Sequence, residues 1–169
     1  WKEVLFANSK FVIVANIVSL FSKLYEMIGT SLQSILSKEK QIWRYMYRMK
    51  DAQQSDIAFG IPESSRFSNW DREIKLARRI SLHQHPRSNL EHFTNILKSI
   101  GYTFQQIKDK NLGGADDLLP IIDYIACKSR IKRPLLCIKL IRIICDSEMQ
   151  NESGYALTTF ESSFVNMAK

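Results

Sequence analysis

"GGADDLLPIIDYI", residues 113–125, sets the helical period of the chain. Leu118, Ile121, Ile122 and Ile125 recur at three- and four-residue steps, which places them on one face of an α-helix. Pro120 limits where that helix begins. A proline is tolerated in the first turn, where its absent N–H has no partner to lose. With Asp117 as the N-cap, Pro120 falls at the third helical position and no internal hydrogen bond is lost. Asp117 then accepts from the first-turn amides, a contribution of roughly 1 kcal/mol. Asp116 lies just outside this helix and has no evident local task. Two readings stand. In one, both acids cap the helix. In the other, Asp116 is an exposed acid aimed at a cation, because a carboxylate competes with a phosphate for a lysine or a magnesium ion. That is displacement, with no bond made or broken. Gly113 and Gly114 let the chain bend before the acids and let another backbone approach.

The same period extends outward in both directions. In residues 2–36, Leu5, Phe11, Val14, Val18, Phe21, Leu24, Ile28, Leu32 and Ile35 keep helical spacing, with Gly29 as a candidate break. From Glu39 to Gln53, Ile42, Trp43, Met46, Tyr47 and Met49 form a stripe expected in the core. "FGIPESSRFSN", 59–69, reads as a connector broken by Gly60 and Pro62. Ser68 with Asp71 marks a helix start, and that helix carries Trp70, Ile74, Leu76 and Ile80 until "HQHP", 83–86. Ser88 and Glu91 form a capping box before Leu90, Phe93, Ile96, Leu97 and Ile100, with Gly101 at the expected C-terminal cap.

Beyond residue 125, "KSRIKR", 128–133, is a basic loop, and Pro134 suits the first turn of a helix bearing Leu135, Ile138, Ile141 and Ile144. In "NESGYALTTFESSF", 151–164, Gly154 reads as a turn. Thr158 with Glu161 gives a second capping box, which predicts a last helix starting near Thr158. Tyr155, three residues earlier, is a core residue, a hydrophobic staple or an exposed aromatic on a rigid turn.

Composition bounds the answer. The 169 residues suit one domain, and 45% of them are hydrophobic, enough to bury a core. "FVIVANIVSLF", 11–21, is interrupted by Asn16 and Ser19 and is too short to span a membrane; it predicts a buried helix. The opening Trp1 predicts a piece of a longer protein. Cys127, Cys137 and Cys145 sit in apolar helical stretches, which predicts reduced, buried thiols in an intracellular protein. His83 and His85 have no third ligand near them in sequence, so no metal is expected. No nucleophile–base spacing and no phosphate-binding glycine motif can be proposed, and no cofactor is expected. The net charge of +7 is spread out, with "RRI", 78–80, and "KSRIKR" the densest groups. It reads as a solvated face, with a weak attraction to an anionic membrane surface as its best functional use and no nucleic-acid partner expected.

"GGADDLLPIIDYIACK", followed by an apolar helix and then "ESGYALTTFESS", resembles the vacuolar-protein-sorting-nine (Vps-nine) domain. "FGIPESSRFSNW" and "HPRSNL" upstream are similar to the same pattern. The resemblance implies an all-α, layered helical bundle, with residues 57–169 as the exchange core and 1–56 as supporting helices packed against it as one unit. It implies a guanine-nucleotide exchange factor for a small Rab GTPase of the Rab-five subfamily, which speeds GDP release without covalent chemistry. By position, Asp116 is the acid that enters the nucleotide site, meets the phosphate-binding lysine and disturbs the magnesium contacts. Tyr155 acts with it, Pro120 and Thr158 bind the GTPase, and Asp117 is mainly a structural cap. The implied setting is cytoplasmic, in vesicle trafficking, held peripherally at early endosomes through regions outside this chain. Ala156 stands where the family often has a second aromatic, Ile131 and Lys132 where it often has Asn-Pro, and Cys137 where it often has an Asn. Those departures keep an alternative open: a module of the same fold that holds a GTPase or partner without exchange. A basic scaffold touching nucleic acid or lipid is the third reading, resting on charge alone.

Overall fold

The computed structural model describes residues 16, 18, 19, 22, 32–53, 59–66, 68–106 and 115–169. Most of the first apolar stretch, with its candidate break at Gly29, lies outside them. Among the described residues, six helices have resolved bounds and pack as a bundle: α1 (Leu32–Arg48), α2 (Asp71–Ala77), α3 (Pro86–Gln106), α4 (Ala115–Ser129), α5 (Pro134–Ile144) and α6 (Asn151–Met167). Short 3₁₀ turns at Glu63–Ser65 and Asp146–Glu148 serve the connections. The class is all-α, as the helical period predicts.

Apolar spacing decides which face of each helix turns inward. Along α1, Ile35, Ile42 and Met46 are buried at helical steps. Trp43 and Tyr47 are 46% and 61% exposed, so the expected core stripe divides into a buried and a solvent-facing half. The steps separate them: Ile35, Ile42 and Met46 share a face that Trp43 and Tyr47 do not.

Helix starts differ from expectation where a better acceptor lies nearby. Trp70 holds the N-cap position of α2, and Asp71 N–H donates to Asn69 Oδ1, just ahead of the cap, at 2.8 Å. That helix stops at Ala77, and Ile80 is buried in the turn that follows it, before the His83–Pro86 stretch. Helix α3 starts at Pro86, two residues ahead of Ser88. Its proline loses nothing in the first turn, and His85 Nδ1 accepts Arg87 N–H at 3.2 Å. Gly101 does not end it. Gly101 is buried, and the helix continues to Gln106 because Ile100 and Phe104 on the same stretch enter the core.

The long helix α3 packs against α2, α5 and α6, while α6 packs against α1, α3, α4 and α5. Their meeting point is aromatic. The Phe93 and Phe160 rings lie 4.8 Å apart, and Phe164 lies 6.2 Å beyond Phe160. All three are wholly buried. Glu73 on α2 accepts a hydrogen bond from Ser99 on α3 within the interior.

Helix α1 closes over α4, α5 and α6. Its buried Glu39 accepts Leu136 N–H at 2.8 Å, which satisfies an orphan donor in the first turn of α5. Burial pushes the Glu39 carboxyl up to about 7, against the hydrogen bonds from the Leu136 and Leu135 amides.

Two outcomes are expected. Phe160→Ala opens a cavity at the centre of the bundle and costs about 3–5 kcal/mol, read as a lowered denaturation midpoint. The raised Glu39 value means that the folded state holds its proton more tightly than the unfolded chain. Stability from this group is full below the ordinary value of 4.5 and is lost as pH rises through about 7. Glu39→Gln keeps an acceptor for Leu136 without the titration, so denaturation midpoints measured across that window should fall less steeply than in the wild type.

Candidate functional site

Helix α4 begins at Ala115, three residues earlier than a cap at Asp117 requires. Asp117 is therefore the third helical residue, half-buried in the first turn, and not the N-cap. A carboxylate there still complements the positive end of the helix. Pro120 becomes the sixth helical residue and lies inside the helix. It carries no N–H, so it cannot donate to the Asp116 carbonyl one turn back. The helix survives because Leu118, Ile121, Ile122 and Ile125 are all wholly buried. Each contributes about 1.5–3 kcal/mol, which together exceeds the roughly 3 kcal/mol that an internal proline costs.

Helix α6 also starts sooner than expected. It begins at Asn151, so Gly154, Tyr155 and Thr158 are all helical. The turn lies before it: Asn151 has φ +56°, and the chain folds so tightly that a Cβ on Gly154 would sit 2.7 Å from the Met149 carbonyl oxygen. The glycine marks a close approach, not a break. Tyr155 is 52% exposed, which leaves the third of its sequence readings, an exposed aromatic on a rigid support. Thr158 is exposed as well. Glu161 does not cap: it accepts from Arg142 Nη2 at 2.7 Å and Nε at 3.1 Å. Arg142 Nη2 also donates to Thr158 Oγ1 at 3.3 Å, and Lys139 Nζ stands 3.8 Å from the same glutamate. Lys139 facing Glu161 and Arg142 facing Thr158 show that α5 runs antiparallel to α6.

A part-buried polar contact relates α4 to α6. Ser163 Oγ donates to Asp123 Oδ1. Burial raises the Asp123 carboxyl to about 6, with the Ser163 bond working the other way. Both helices direct their C-terminal ends at the same part of α1. Lys128 Nζ donates to the Lys50 carbonyl at 3.0 Å, and Met167 lies beside Tyr47 and Arg48. The helices therefore run in the same sense. Counted back from the Asp123–Ser163 rung at 1.5 Å per residue, the Asp116 backbone lies about 10 Å along α4 and Tyr155 about 12 Å along α6. The acid and the tyrosine come from positions 39 residues apart in sequence and reach the same level of the bundle, with Pro120 and Thr158 one turn below them.

Sequence reasoning missed Asp123, Ser163 and Arg142. One signal was present: Asp123 is a lone acid between Ile122 and Tyr124 on an apolar helix. Arg142 had none, because its partner Glu161 fitted a local capping pattern equally well.

No group of three His, Cys, Asp or Glu side chains capable of holding a metal occurs among the described residues. Cys127, Cys137 and Cys145 are free and buried, and burial pushes the first two thiols up to about 12. No helix among the described residues is long and apolar enough to cross a membrane.

The model of the Vacuolar sorting protein 9 (VPS9) domain family matches residues 70–168, more than half of the chain. The protein belongs to this family. A search of curated proteins found no match. VPS9 domains are guanine-nucleotide exchange factors that bind small GTPases and speed nucleotide release without covalent catalysis.

Gly154→Ala forces the start of α6 away from the Met149 carbonyl. The expected cost is about 1–3 kcal/mol, with a shift of the Tyr155 environment visible in the near-ultraviolet circular dichroism. An unchanged midpoint and spectrum would count against the close approach.

Proposed function

We propose that this domain accelerates GDP release from a small Rab GTPase of the Rab-five type, in endosomal membrane traffic, by inserting Asp116 into the nucleotide site. The observation that carries this reading is the common level of Asp116 and Tyr155 on two helices of the same sense. An acid at the first turn of α4 and an exposed tyrosine beside it offer two contacts to one convex partner. Asp116 competes with the nucleotide's phosphates for the GTPase lysine and for magnesium. At close range in a site shielded from water, that charge replaces part of the phosphate's own binding energy. Pro120 and Thr158 lie one turn below Asp116 and Tyr155 on the same two helices. Arg142 holds Thr158 in place.

The alternative, a module that binds without exchange, draws on the departures at Ala156 and Cys137. Both side chains are buried in the core, as Ile131 is, and none belongs to the exposed Tyr155–Thr158 face. Lys132, at the other end of α4, is the single exposed departure. The structure therefore favours the exchange reading over the alternative.

The test is fluorescent-GDP release from a panel of Rab GTPases. Wild-type domain should accelerate release from Rab-five-type members, with Asp116→Ala reducing kcat/KM by about a hundredfold or more, the scale of losing one preorganised charge contact at a reacting site. Far-ultraviolet circular dichroism and the thermal midpoint of Asp116→Ala, measured beside the wild type, show that a loss of exchange is not a loss of fold. Exchange retained by Asp116→Ala would overturn the role of this acid. GTPase capture without faster release by the wild type would establish the binding module instead.

A further inference from the structure

The basic loop "KSRIKR" and the exposed half of α1 have no part in the exchange face, and they lie together at the far end of the bundle. Leu36, Lys40, Trp43, Arg44, Tyr47 and Arg48 recur at helical spacing along one side of α1, and all six are exposed. Two grooves border this stripe, and Trp43 lines both. One, of about 400 Å³, reaches Lys132, Arg133 and Pro134; the other, of about 680 Å³, reaches Met167 and Lys169. These are the residues that follow the C-terminal end of α4 and close the C-terminal end of α6.

Among the described residues, the exposed charges of α1 and the 130–133 loop are all basic. Lys40, Arg44, Arg48, Lys132 and Arg133 take part in no ion pair among the described residues. The acid on the same helix, Glu39, is buried and turned to the α5 amides. Asp51, past the end of α1, stands 3.8 Å from Lys50 Nζ. Lys50 itself lies 4.5 Å from the Tyr47 ring centroid. A row of unpaired cations flanking an exposed leucine, a tryptophan and a tyrosine matches what an anionic lipid surface offers: phosphates for the cations, and an interfacial layer for amphipathic rings.

We infer that the outer face of α1 and the 130–133 loop form a docking surface for an anionic phospholipid membrane. The aromatic side chains enter the headgroup layer, and the cations bind the phosphates around them. Helix α4, about 22 Å long, then stands away from the bilayer, with its Asp116 end directed outward and open to a partner. The surface is separate from the exchange face, so its test needs no GTPase.

Co-sedimentation with phosphatidylserine-containing vesicles, beside pure phosphatidylcholine vesicles, measures this directly. Binding to the anionic vesicles alone is expected, weakening as salt rises above about 0.15 M, where charges are screened beyond roughly 8 Å. Arg44→Glu with Lys132→Glu should reduce partitioning by more than about tenfold, and Trp43→Gln should reduce it at unchanged charge. Lys75→Glu on α2 is the control and should change it little. Far-ultraviolet circular dichroism confirms that each variant is folded. Absent binding to anionic vesicles, or equal losses from the control and the paired reversal, would overturn the proposal. Tighter binding to a single-stranded oligonucleotide than to vesicles, lost in the same variants, would overturn it too and assign the surface to nucleic acid.

Discussion

Burial of α6 is the constraint on which the rest of the bundle depends. Its Phe160 ring lies between Phe93 of α3 and Phe164 one turn along, with no exposure to solvent. From that contact α6 reaches α1, α4 and α5 as well, so four helices share one neighbour. Each aromatic buried there stabilises by more than any polar contact at its rim. The ion pairs of α6, Lys98 with Glu152 and Arg142 with Glu161, are partly exposed and contribute about 0–1 kcal/mol each. Their weight is in orientation. The apolar contact fixes how close the helices lie, and the polar ones fix rotation about the helix axis.

That division bears on the proposed exchange face. Tyr155 and Thr158 face outward because Ala156, Leu157, Thr159 and Phe160 face inward. Asp123 and Ser163 then set the level at which α4 meets α6. A carboxyl drawn partly out of water is an expensive way to join two helices, yet its hydrogen bond is more specific about register than an apolar contact.

Helix content and most of the core could be read from the chain, because period alone encodes them. Leu118, Ile121, Ile122 and Ile125, and Phe93, Ile96 and Ile100, are buried as their spacing predicts. Helix ends could not be read as well. Gly101 and Gly154 look like stops in isolation, but one is buried within a continuing helix and the other admits a carbonyl against its Cα. Thr158 with Glu161 matches a cap only until Arg142, from another helix, takes the glutamate. Local patterns name candidates, and contacts distant in sequence decide among them. The site divides the same way. Asp116, Pro120, Tyr155 and Thr158 are legible as motif residues, while their common level on two helices depends on a hydrogen bond between residues 123 and 163 that no local pattern announces.

Pro120 has a mechanical consequence. Without its amide, the turn carrying Asp116 and Asp117 lacks one backbone bond to the body of α4. Just beyond the proline, Ile121, Ile122 and Ile125 clamp the helix into the core. Leu118, before the proline, is wholly buried as well, so side-chain packing holds the acid-bearing turn in place where that backbone bond is missing.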